Sequence, residues 1–478
     1  MKLSLNWLES YFNIKPNWNM IFDKLTMAGI ELESIVLTDD NLDKVIEFKI
    51  TPNRGDCLSI DGILREIILL CPEYKENITR PIDIIKDLVN TQNNNCIIQS
   101  KDNTINHNSD TIKIINHATD IVPIYNYIII KKVLPAAVNY NKNKILPDFI
   151  YKRLALGNIN SVSLIVDILN YIMLELGQPM HAFNLDAIGN KLYLEKYNNT
   201  HNNANKNLHL LNKSTCQIID NSLVSLNENH EVIAIPGVMG GMNSSTNDEL
   251  VSIFIESAWF QPDTIAYLAR TYKLSTDASY RFERGVDPRL SELAIRYACY
   301  LFDKYTNYEL QISHINEYST SILSKSQKII DLDRNKINLT LGLELTTDLI
   351  LSLLQNLDFI VLNYNAESLQ ISLLIPEFRF DINIAEDIVE EIARTYSYQN
   401  IVPKPVLCNS SLTNTNSYFK EFNILKSQLA VFGYHEIITY AFVNEKLALL
   451  FNNNVDNNLI KVKNPIANLN IMRHTLII

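Results

Sequence analysis

The sequence predicts an α+β fold that is divided into several domains, and three observations support this. The chain has 478 residues, which is more than a single hydrophobic core usually serves. Of these residues 47% are hydrophobic and 20% are charged, a balance that is ordinary for globular proteins. Runs with helical spacing and runs that resemble strands are mixed along the chain, which indicates α+β units.

The first module, residues 1–85, is predicted to contain both helices and strands. Ser4 is a plausible cap for a first helix, and Gly29 can end a second one. The alternating runs Ile30–Glu33 and Val45–Ile50 predict strands. A turn follows them, and Ser59 can cap a third, amphipathic helix.

Residues 110–320 are predicted to form one large α+β domain. Its strand-like runs are Tyr125–Val133 and Leu250–Ile255, and its helix-like runs are Leu164–Leu176 and Leu290–Tyr305. The polar segments Asn90–Asp110 and Asn198–Asn207 predict loops at its start and in its middle.

Two smaller modules are predicted after residue 320. Residues 328–400 form a winged-helix-like module, with the elements Thr346–Leu357, Leu369–Ile375 and Ile384–Tyr396. Residues 410–478 begin another module, in which the helix Phe419–Phe432 and a turn at Gly433 precede the strand Glu436–Phe442.

Composition argues against several classes of protein. No apolar run reaches about 18 residues, so a membrane span is not expected. The six cysteines form no CxxC pair, so neither a zinc site nor a disulfide framework is expected, and a reducing cytoplasm fits. The net charge of −11 argues against a protein that coats RNA. A local basic face, or RNA contacts supplied by a partner, stay open.

The segment Asp381–Glu391 is the clearest candidate for chemistry. At about 100° per residue, one arc of its helix carries Glu386, Asp387, Glu390 and Glu391. Carboxylates this close repel one another unless a cation or basic groups compensate, and magnesium suits such ligands. The alternative is a solvated helix face whose acids favour the N-terminal dipole, and spacing alone favours that alternative.

Two further segments carry candidate site residues. After a helix that ends at Gly177, His181 is predicted to lie in a loop, where it orients water or an ester or serves as a structural histidine. Glycines cluster at 237–241 in a glycine-poor chain, which indicates a close approach of the backbone or a tight hairpin. Glu256 ends a strand-like apolar run, where a carboxylate is costly unless it has a partner. The alternative is a surface glutamate, which the pattern alone favours.

The segment Ser275–Pro288 alternates arginine and glutamate among small residues. Such a pattern is typical of a structural salt-bridge network, and it also suits a pocket for an anionic ligand. Chemistry alone favours the structural network.

Four strings resemble the β subunit of bacterial-type phenylalanyl-tRNA synthetase, in that family's order and spacing. They are ITPNRGDCLS (Ile50–Ser59), LELGQPMHAF (Leu174–Phe183), STDASYRFERGVDP (Ser275–Pro288) and RFDINIAEDIVEEIAR (Arg379–Arg394). The resemblance implies a tetramer of two α and two β subunits, in which α joins phenylalanine to ATP and then to tRNA. It also implies Mg²⁺ at Asp381, Asp387, Glu390 and Glu391, and leaves Glu386 out.

The resemblance further implies that residues 110–320 hydrolyse tyrosine wrongly attached to the tRNA. His181 and Glu256 match the family's catalytic positions for this editing, and Gly240 and Ala278 match its pocket. Glu256 is expected to accept the proton of the tyrosine hydroxyl, which phenylalanine lacks, while His181 orients water. Small side chains at 240 and 278 leave room for the ring.

Three departures from the family pattern modify this expectation. Between Ile35 and Val45 there is no inserted oligonucleotide-binding barrel, and Asn184 stands where the family usually has aspartate. The sequence ends at Ile478, within an inactive module that resembles a class II synthetase and before an anticodon-binding domain. Two alternatives therefore stay open: a free-standing deacylase of mischarged tRNA, and a scaffold for α that has lost editing.

Overall fold

The computed structural model describes ten stretches of the chain: residues 1–39, 41–91, 112–131, 146–198, 207–246, 252–305, 328–365, 367–405, 417–451 and 459–477. These stretches fall into two compact units, Met1–Val402 and Pro403–Ile478. The predicted loops Asn90–Asp110 and Asn198–Asn207 lie almost entirely outside the described residues, as do Val133 and Leu250 at the limits of two predicted strands.

The first unit begins with a small three-stranded antiparallel sheet. Its strand order is Lys2–Ser4, Lys44–Lys49 and Glu31–Leu37. The helices around it are Leu5–Glu9, Trp18–Met27, Ile60–Leu70 and Pro81–Thr91, with short 3-10 turns at Gly55–Cys57 and Pro72–Asn77. Ser4 and Ser59 accept the hydrogen bonds of N-caps, as predicted.

A three-stranded antiparallel sheet, here called the central sheet, separates two hydrophobic cores. Its order is Ile124–Lys131, Ser252–Trp259 and His181–Asn184. Alternate residues of a strand point to opposite faces, so Ile255 packs into one core and Phe254 into the other. The first core also contains residues of the helices Asp148–Leu156, Leu164–Leu176 and Leu290–Tyr305.

The second core is closed by a five-stranded sheet. Its order is Met239–Gly240, Val232–Ile235, Leu223–Leu226, Lys191–Lys196 and Lys113–Asn116, and the last two strands are parallel. Beside it lie the strand pair Asn207–His209 and Thr215–Gln217, the 3-10 turn Met242–Ser244, and the helices Leu185–Ile188, Pro262–Tyr272 and Asp277–Phe282.

The last part of the first unit has a separate core. Its antiparallel sheet has the order Ile329–Asp333, Gln370–Leu374 and Ile360–Asn365. Three helices pack with it, Arg334–Leu341, Thr347–Asn356 and Ala385–Tyr396, and the 3-10 turn Tyr398–Asn400 follows. The helix Ala385–Tyr396 is called the acidic helix below.

The second unit contains two helices and one small sheet among its described residues. The helices are Ser417–Val431 and Glu445–Leu450, and the sheet order is Phe442–Val443, Leu469–Met472 and Lys461–Ile466. In the described part of the chain, no helix has the length and apolar character needed to cross a membrane.

Several predicted elements are confirmed, and three predictions are wrong. The helices Leu164–Leu176 and Leu290–Tyr305 have the predicted bounds. His181 begins a strand instead of lying in a loop, because it pairs with the middle strand of the central sheet. Glu256 lies inside a strand that continues to Trp259, not at its end. Of the predicted strand Glu436–Phe442, only Phe442 is in a strand.

Candidate functional site

The structure gathers four of the predicted site residues around one cavity. His181, Gly240, Glu256 and Ala278 all line a cavity of about 60 Å³. Such a cavity has room for water, which needs about 15 Å³. Most of its wall is apolar and includes Met180, Phe183, Ile235, Val238 and Phe282. We call it the His181 cavity.

The central sheet places the two polar side chains of the cavity. His181 and Glu256 are direct cross-strand partners in the antiparallel pairing of their strands. Directly opposite residues share a face of the sheet, so both side chains point to the same side. The pairing therefore brings together an imidazole and a carboxylate that are far apart in the sequence.

Gly240 allows the imidazole to sit where it does. A Cβ atom at this position would lie 2.5 Å from Nε2 of His181 and 2.6 Å from its Cε1, which is too close for any side chain. The turn before it passes through Gly237, whose φ of +69° favours glycine. Both interpretations of the glycine cluster therefore apply, because it forms a tight hairpin and its backbone closely approaches the His181 side chain.

Thr276 ties this hairpin to the helix Asp277–Phe282, which carries Ala278. The Thr276 hydroxyl donates to the carbonyl of Val238 over 2.9 Å. The same side chain caps the helix together with Ser279. Thr276 was not singled out by the sequence, although a threonine three residues before a serine at a helix start is a recognisable capping signal.

Burial sets the charge state of the two polar groups in the cavity. Desolvation raises the pKa of Glu256 to about 7, and a hydrogen bond from Tyr125 partly offsets that rise. Desolvation lowers the pKa of His181 to about 4. At neutral pH the imidazole is therefore neutral and can accept a proton or a hydrogen bond, while Glu256 is close to its midpoint.

Three of the four carboxylates predicted to bind magnesium have other partners in the structure. Arg379 pairs with Asp381 over 2.9 Å and with Glu391 over 2.7 Å. Asp387 accepts hydrogen bonds from the backbone N–H groups of Asn383 and Ile384 at the start of the acidic helix. Glu390 is exposed on the same helix.

Glu391 is buried, unlike the solvated arc on which helical spacing placed it. Burial alone would raise its pKa, but hydrogen bonds from Arg379 and the charge of Arg394 hold that pKa well below its usual range. Arg394 continues the network to Glu66, over 2.6 Å. The acidic helix is therefore joined by buried ion pairs to the helix Ile60–Leu70 of the first module.

Among the residues that the structure describes, one group of side chains is arranged closely enough to hold a metal ion. Its members are Asp56, Cys57 and Glu66, whose potential ligand atoms lie within 4.8 Å of one another. The Arg54 guanidinium already bonds all three, at 3.0 Å, 3.1 Å and 2.5 Å. An arginine thus compensates the charge that a metal ion would otherwise neutralise. The predicted ligands of Mg²⁺ do not form such a group in the described structure.

The arginine-rich segment Ser275–Pro288 has the structural role that chemistry alone favoured. Arg281 is buried and donates to the carbonyl of Leu58 and to Asp277. Arg284 pairs with Glu283 and lies over the Tyr280 ring, 3.5 Å from its centroid. The bond from Arg281 to Leu58 ties the helix of Ala278 to the first module.

Parts of the chain match models of known protein families. Three family models match consecutive parts of the chain: B3/4 domain over residues 135–307, tRNA synthetase B5 domain over 330–398, and phenylalanyl tRNA synthetase beta chain CLM domain over 405–478. The B3/4 match includes the residues that line the His181 cavity, and the B5 match includes the acidic helix.

Curated relatives match nearly the whole chain. The phenylalanine-tRNA ligase beta subunit of Francisella tularensis is 33% identical over 453 residues, which are 94% of this chain and 52% of the relative. That of Acinetobacter baylyi is 33% identical over 452 residues, 94% of this chain and 51% of the relative. The chain spans about half the length of the curated relatives it matches.

A solved N-terminal fragment of the phenylalanyl-tRNA synthetase beta subunit from Pyrococcus horikoshii also matches. The identity is 14% and the TM-score is 0.40, and the match covers 83% of this chain and 99% of that one.

Proposed function

Because the chain belongs to the family of phenylalanine-tRNA ligase beta subunits, we propose that it works as such a subunit and supports the attachment of phenylalanine to its tRNA. ATP, phenylalanine and the synthetic site belong to an α subunit in this proposal. The assembly proposed is two α and two β chains in the cytoplasm.

The second unit supports an α-subunit partner. Its helix Ser417–Val431 exposes large apolar side chains on much of its surface, among them Tyr418, Phe419, Phe422, Leu425 and Leu429. A contiguous apolar surface of this kind is typical of a protein interface. Co-expression of the full chain with the α subunit, followed by purification through a tag on α, tests the partnership. Recovery of α alone would contradict it.

We propose that the His181 cavity hydrolyses tyrosine from mischarged tRNA. The observation that carries this proposal is the convergence of His181, Gly240, Glu256 and Ala278 on one cavity. A synthetic pocket built for phenylalanine rejects an added hydroxyl poorly, so a second site that requires the hydroxyl raises accuracy.

The geometry supports a division of roles between the two polar residues. The substrate's phenol donates its proton to a hydrogen bond with the Glu256 carboxylate, which fixes the ring. Gly240 and Ala278 leave space beside it. The neutral His181 accepts a hydrogen bond from water, and that water attacks the ester carbonyl. The acyl C–O bond breaks, the released 3′ oxygen takes up a proton, and the products are tyrosine and free tRNA.

Deacylation of Tyr-tRNA by the full chain tests this proposal. The Glu256→Ala variant is expected to lose at least about tenfold in rate, because the buried acceptor for the phenol is gone. A variant at an exposed carboxylate outside the cavity, Glu386→Ala, is expected to keep the wild-type rate. Unchanged activity of Glu256→Ala would remove the assigned role.

A magnesium site at Asp381, Asp387, Glu390 and Glu391 is a separate proposal. Carboxylate oxygens suit this ion, which supports it. The ion pairs of Arg379 with Asp381 and Glu391 do not fit a shared ion in the arrangement described here. We therefore assign no step of the reaction to magnesium. Titration of the full chain with MgCl₂, alone and with the α subunit, tests the site, and equal heats for wild type and Asp387→Asn would contradict it.

A further inference from the structure

One buried phenol beside the His181 cavity has no part in the mechanism above. The Tyr125 side chain is 1% exposed, and its hydroxyl donates to Oε2 of Glu256 over 2.5 Å. Among the described residues, Tyr125 is the side chain that hydrogen-bonds to this carboxylate. Tyr125 does not line the cavity, so it reaches Glu256 from the core behind it.

The sheet register explains how this contact arises. Tyr125 pairs with Ala258 in the strand of Glu256, two residues further along. Residues two apart in a strand share a face, and aromatic side chains reach the diagonal neighbour on the adjacent strand. Tyr127 is the direct partner of Glu256, but its hydroxyl donates instead to the carbonyl of Ile112, over 3.3 Å.

We propose that Tyr125 is a positioning residue that determines substrate specificity. Its phenol holds one oxygen of the Glu256 side chain from the core, and this contact keeps the carboxylate turned toward the cavity. This inference rests on the proposed editing function. A held carboxylate offers an acceptor at one fixed place, and a substrate ring fits there only if it brings a hydroxyl. Tyrosine satisfies this requirement, and phenylalanine leaves the cavity-facing oxygen of the buried carboxylate without a partner.

Loss of the Tyr125 hydroxyl has two physical consequences. The carboxylate is free to change its rotamer, so the acceptor no longer has a fixed position. The Tyr125 bond also opposes the rise in the pKa of Glu256 that burial causes, so its removal leaves that pKa higher. A protonated Glu256 donates a hydrogen bond as readily as it accepts one. Both changes weaken the requirement for a hydroxyl on the substrate.

Deacylation of Tyr-tRNA and Phe-tRNA by the Tyr125→Phe variant of the full chain tests the proposal. The ratio of the two rates is expected to fall roughly tenfold, in keeping with the loss of one hydrogen bond to a charged group. The pH at which the Tyr-tRNA rate reaches half of its plateau is expected to rise. The groups that face Glu256 on the neighbouring strands are His181, Tyr125 and Tyr127, and the two tyrosines are tested by separate variants.

The matched control is Tyr127→Phe, which removes a hydroxyl from the same face of the same strand but not from Glu256. It is expected to keep both the rate ratio and the pH midpoint of the wild type. Equal ratios and midpoints for wild type and Tyr125→Phe would overturn the role of Tyr125. If the wild-type chain itself fails to hydrolyse Tyr-tRNA, the proposed editing function fails instead, so the two failures are distinguishable.

Discussion

At the scale of single residues, Glu256 shows what the sequence could and could not predict. The sequence left two interpretations open, a surface glutamate and a carboxylate in need of a partner, and the structure buries Glu256 with Tyr125 as its partner. The partner itself, Tyr125, was not predictable, because it lies 131 residues away along the chain. Only the pairing register of two strands brings the two side chains together.

The pH dependence of stability follows from the raised pKa of Glu256. The folded chain keeps this proton up to about pH 7, whereas the unfolded chain loses it near 4.5. Below 4.5 both states are protonated, so the full contribution to stability is present there, and it is lost as pH rises to 7. We expect Glu256→Gln to gain roughly 2 kcal/mol relative to wild type between pH 5 and pH 8.

Chemical unfolding of wild type and Glu256→Gln at the two pH values measures this difference. Gln is uncharged at both, and its amide oxygen can accept the bond from Tyr125. A difference in the free energy of unfolding that does not change between pH 5 and pH 8 would show that Glu256 titrates normally.

The close contact between Gly240 and His181 gives a second prediction at this scale. A Cβ at position 240 would force the imidazole away from its place. We expect Gly240→Ala to lower the free energy of unfolding by about 1 to 3 kcal/mol and to reduce Tyr-tRNA deacylation more than tenfold. Thermal denaturation and the deacylation rate measure the two effects.

Val232→Ala provides the matched control for Gly240→Ala. Val232 is half-buried in the same hairpin but does not line the cavity. The control is expected to lose stability and keep the deacylation rate. If Gly240→Ala and Val232→Ala lower the deacylation rate equally, the loss comes from a disturbed hairpin and not from displacement of His181.

At the scale of elements, the acidic helix is the clearest case. Helical spacing puts Ile388, Val389, Ile392 and Ala393 on the arc opposite the acids, and all four side chains are buried. It placed Glu391 on the opposite, solvated arc, and the structure buries that side chain between Arg379 and Arg394. Periodicity describes one helix at a time, so it could not reveal that Arg379 from outside the helix and Glu66 from the first module complete a buried network around it.

The buried network predicts a large effect of removing one charge. Glu66 bonds Arg54 and Arg394, and all three side chains are buried. Burial alone would raise the pKa of Glu66, but the two arginines lower it to about 2. We expect Glu66→Gln to cost about 3 to 5 kcal/mol of unfolding free energy, because it removes the carboxylate that Arg54 and Arg394 share and leaves the buried network with excess positive charge.

Urea unfolding of the full chain measures this loss. Glu386→Gln is the control, since Glu386 pairs with Lys336 on the exposed side of the acidic helix and its replacement is expected to change little. Similar losses in the two variants would contradict the view that the buried network holds the acidic helix to the first module.

At the scale of the whole molecule, the order of helices and strands was largely predictable, and their association was not. The mixed α+β architecture is confirmed. The central sheet joins three strands from residues 124–131, 181–184 and 252–259, an arrangement that no local pattern indicates. The predicted winged-helix-like character of residues 328–400 and the predicted domain boundaries stay predictions.

The exposed apolar helix Ser417–Val431 predicts a change on assembly. Burial against the α subunit would protect its amide hydrogens, because solvent no longer reaches the helix when it opens locally. We expect hydrogen exchange in this helix to slow at least about tenfold when α is added, whereas exchange in the helix Thr347–Asn356 stays the same. Equal exchange with and without α would place the interface elsewhere.

In the function proposed above, the His181 cavity removes tyrosine from tRNA by requiring a hydroxyl on the ring. The most direct test compares the rates at which the wild-type full chain hydrolyses Tyr-tRNA and Phe-tRNA under the same conditions. We expect Tyr-tRNA to be hydrolysed faster by at least about a hundredfold, since phenylalanine leaves one oxygen of a buried carboxylate unpaired. Equal rates for the two substrates, or no hydrolysis of either, would contradict it.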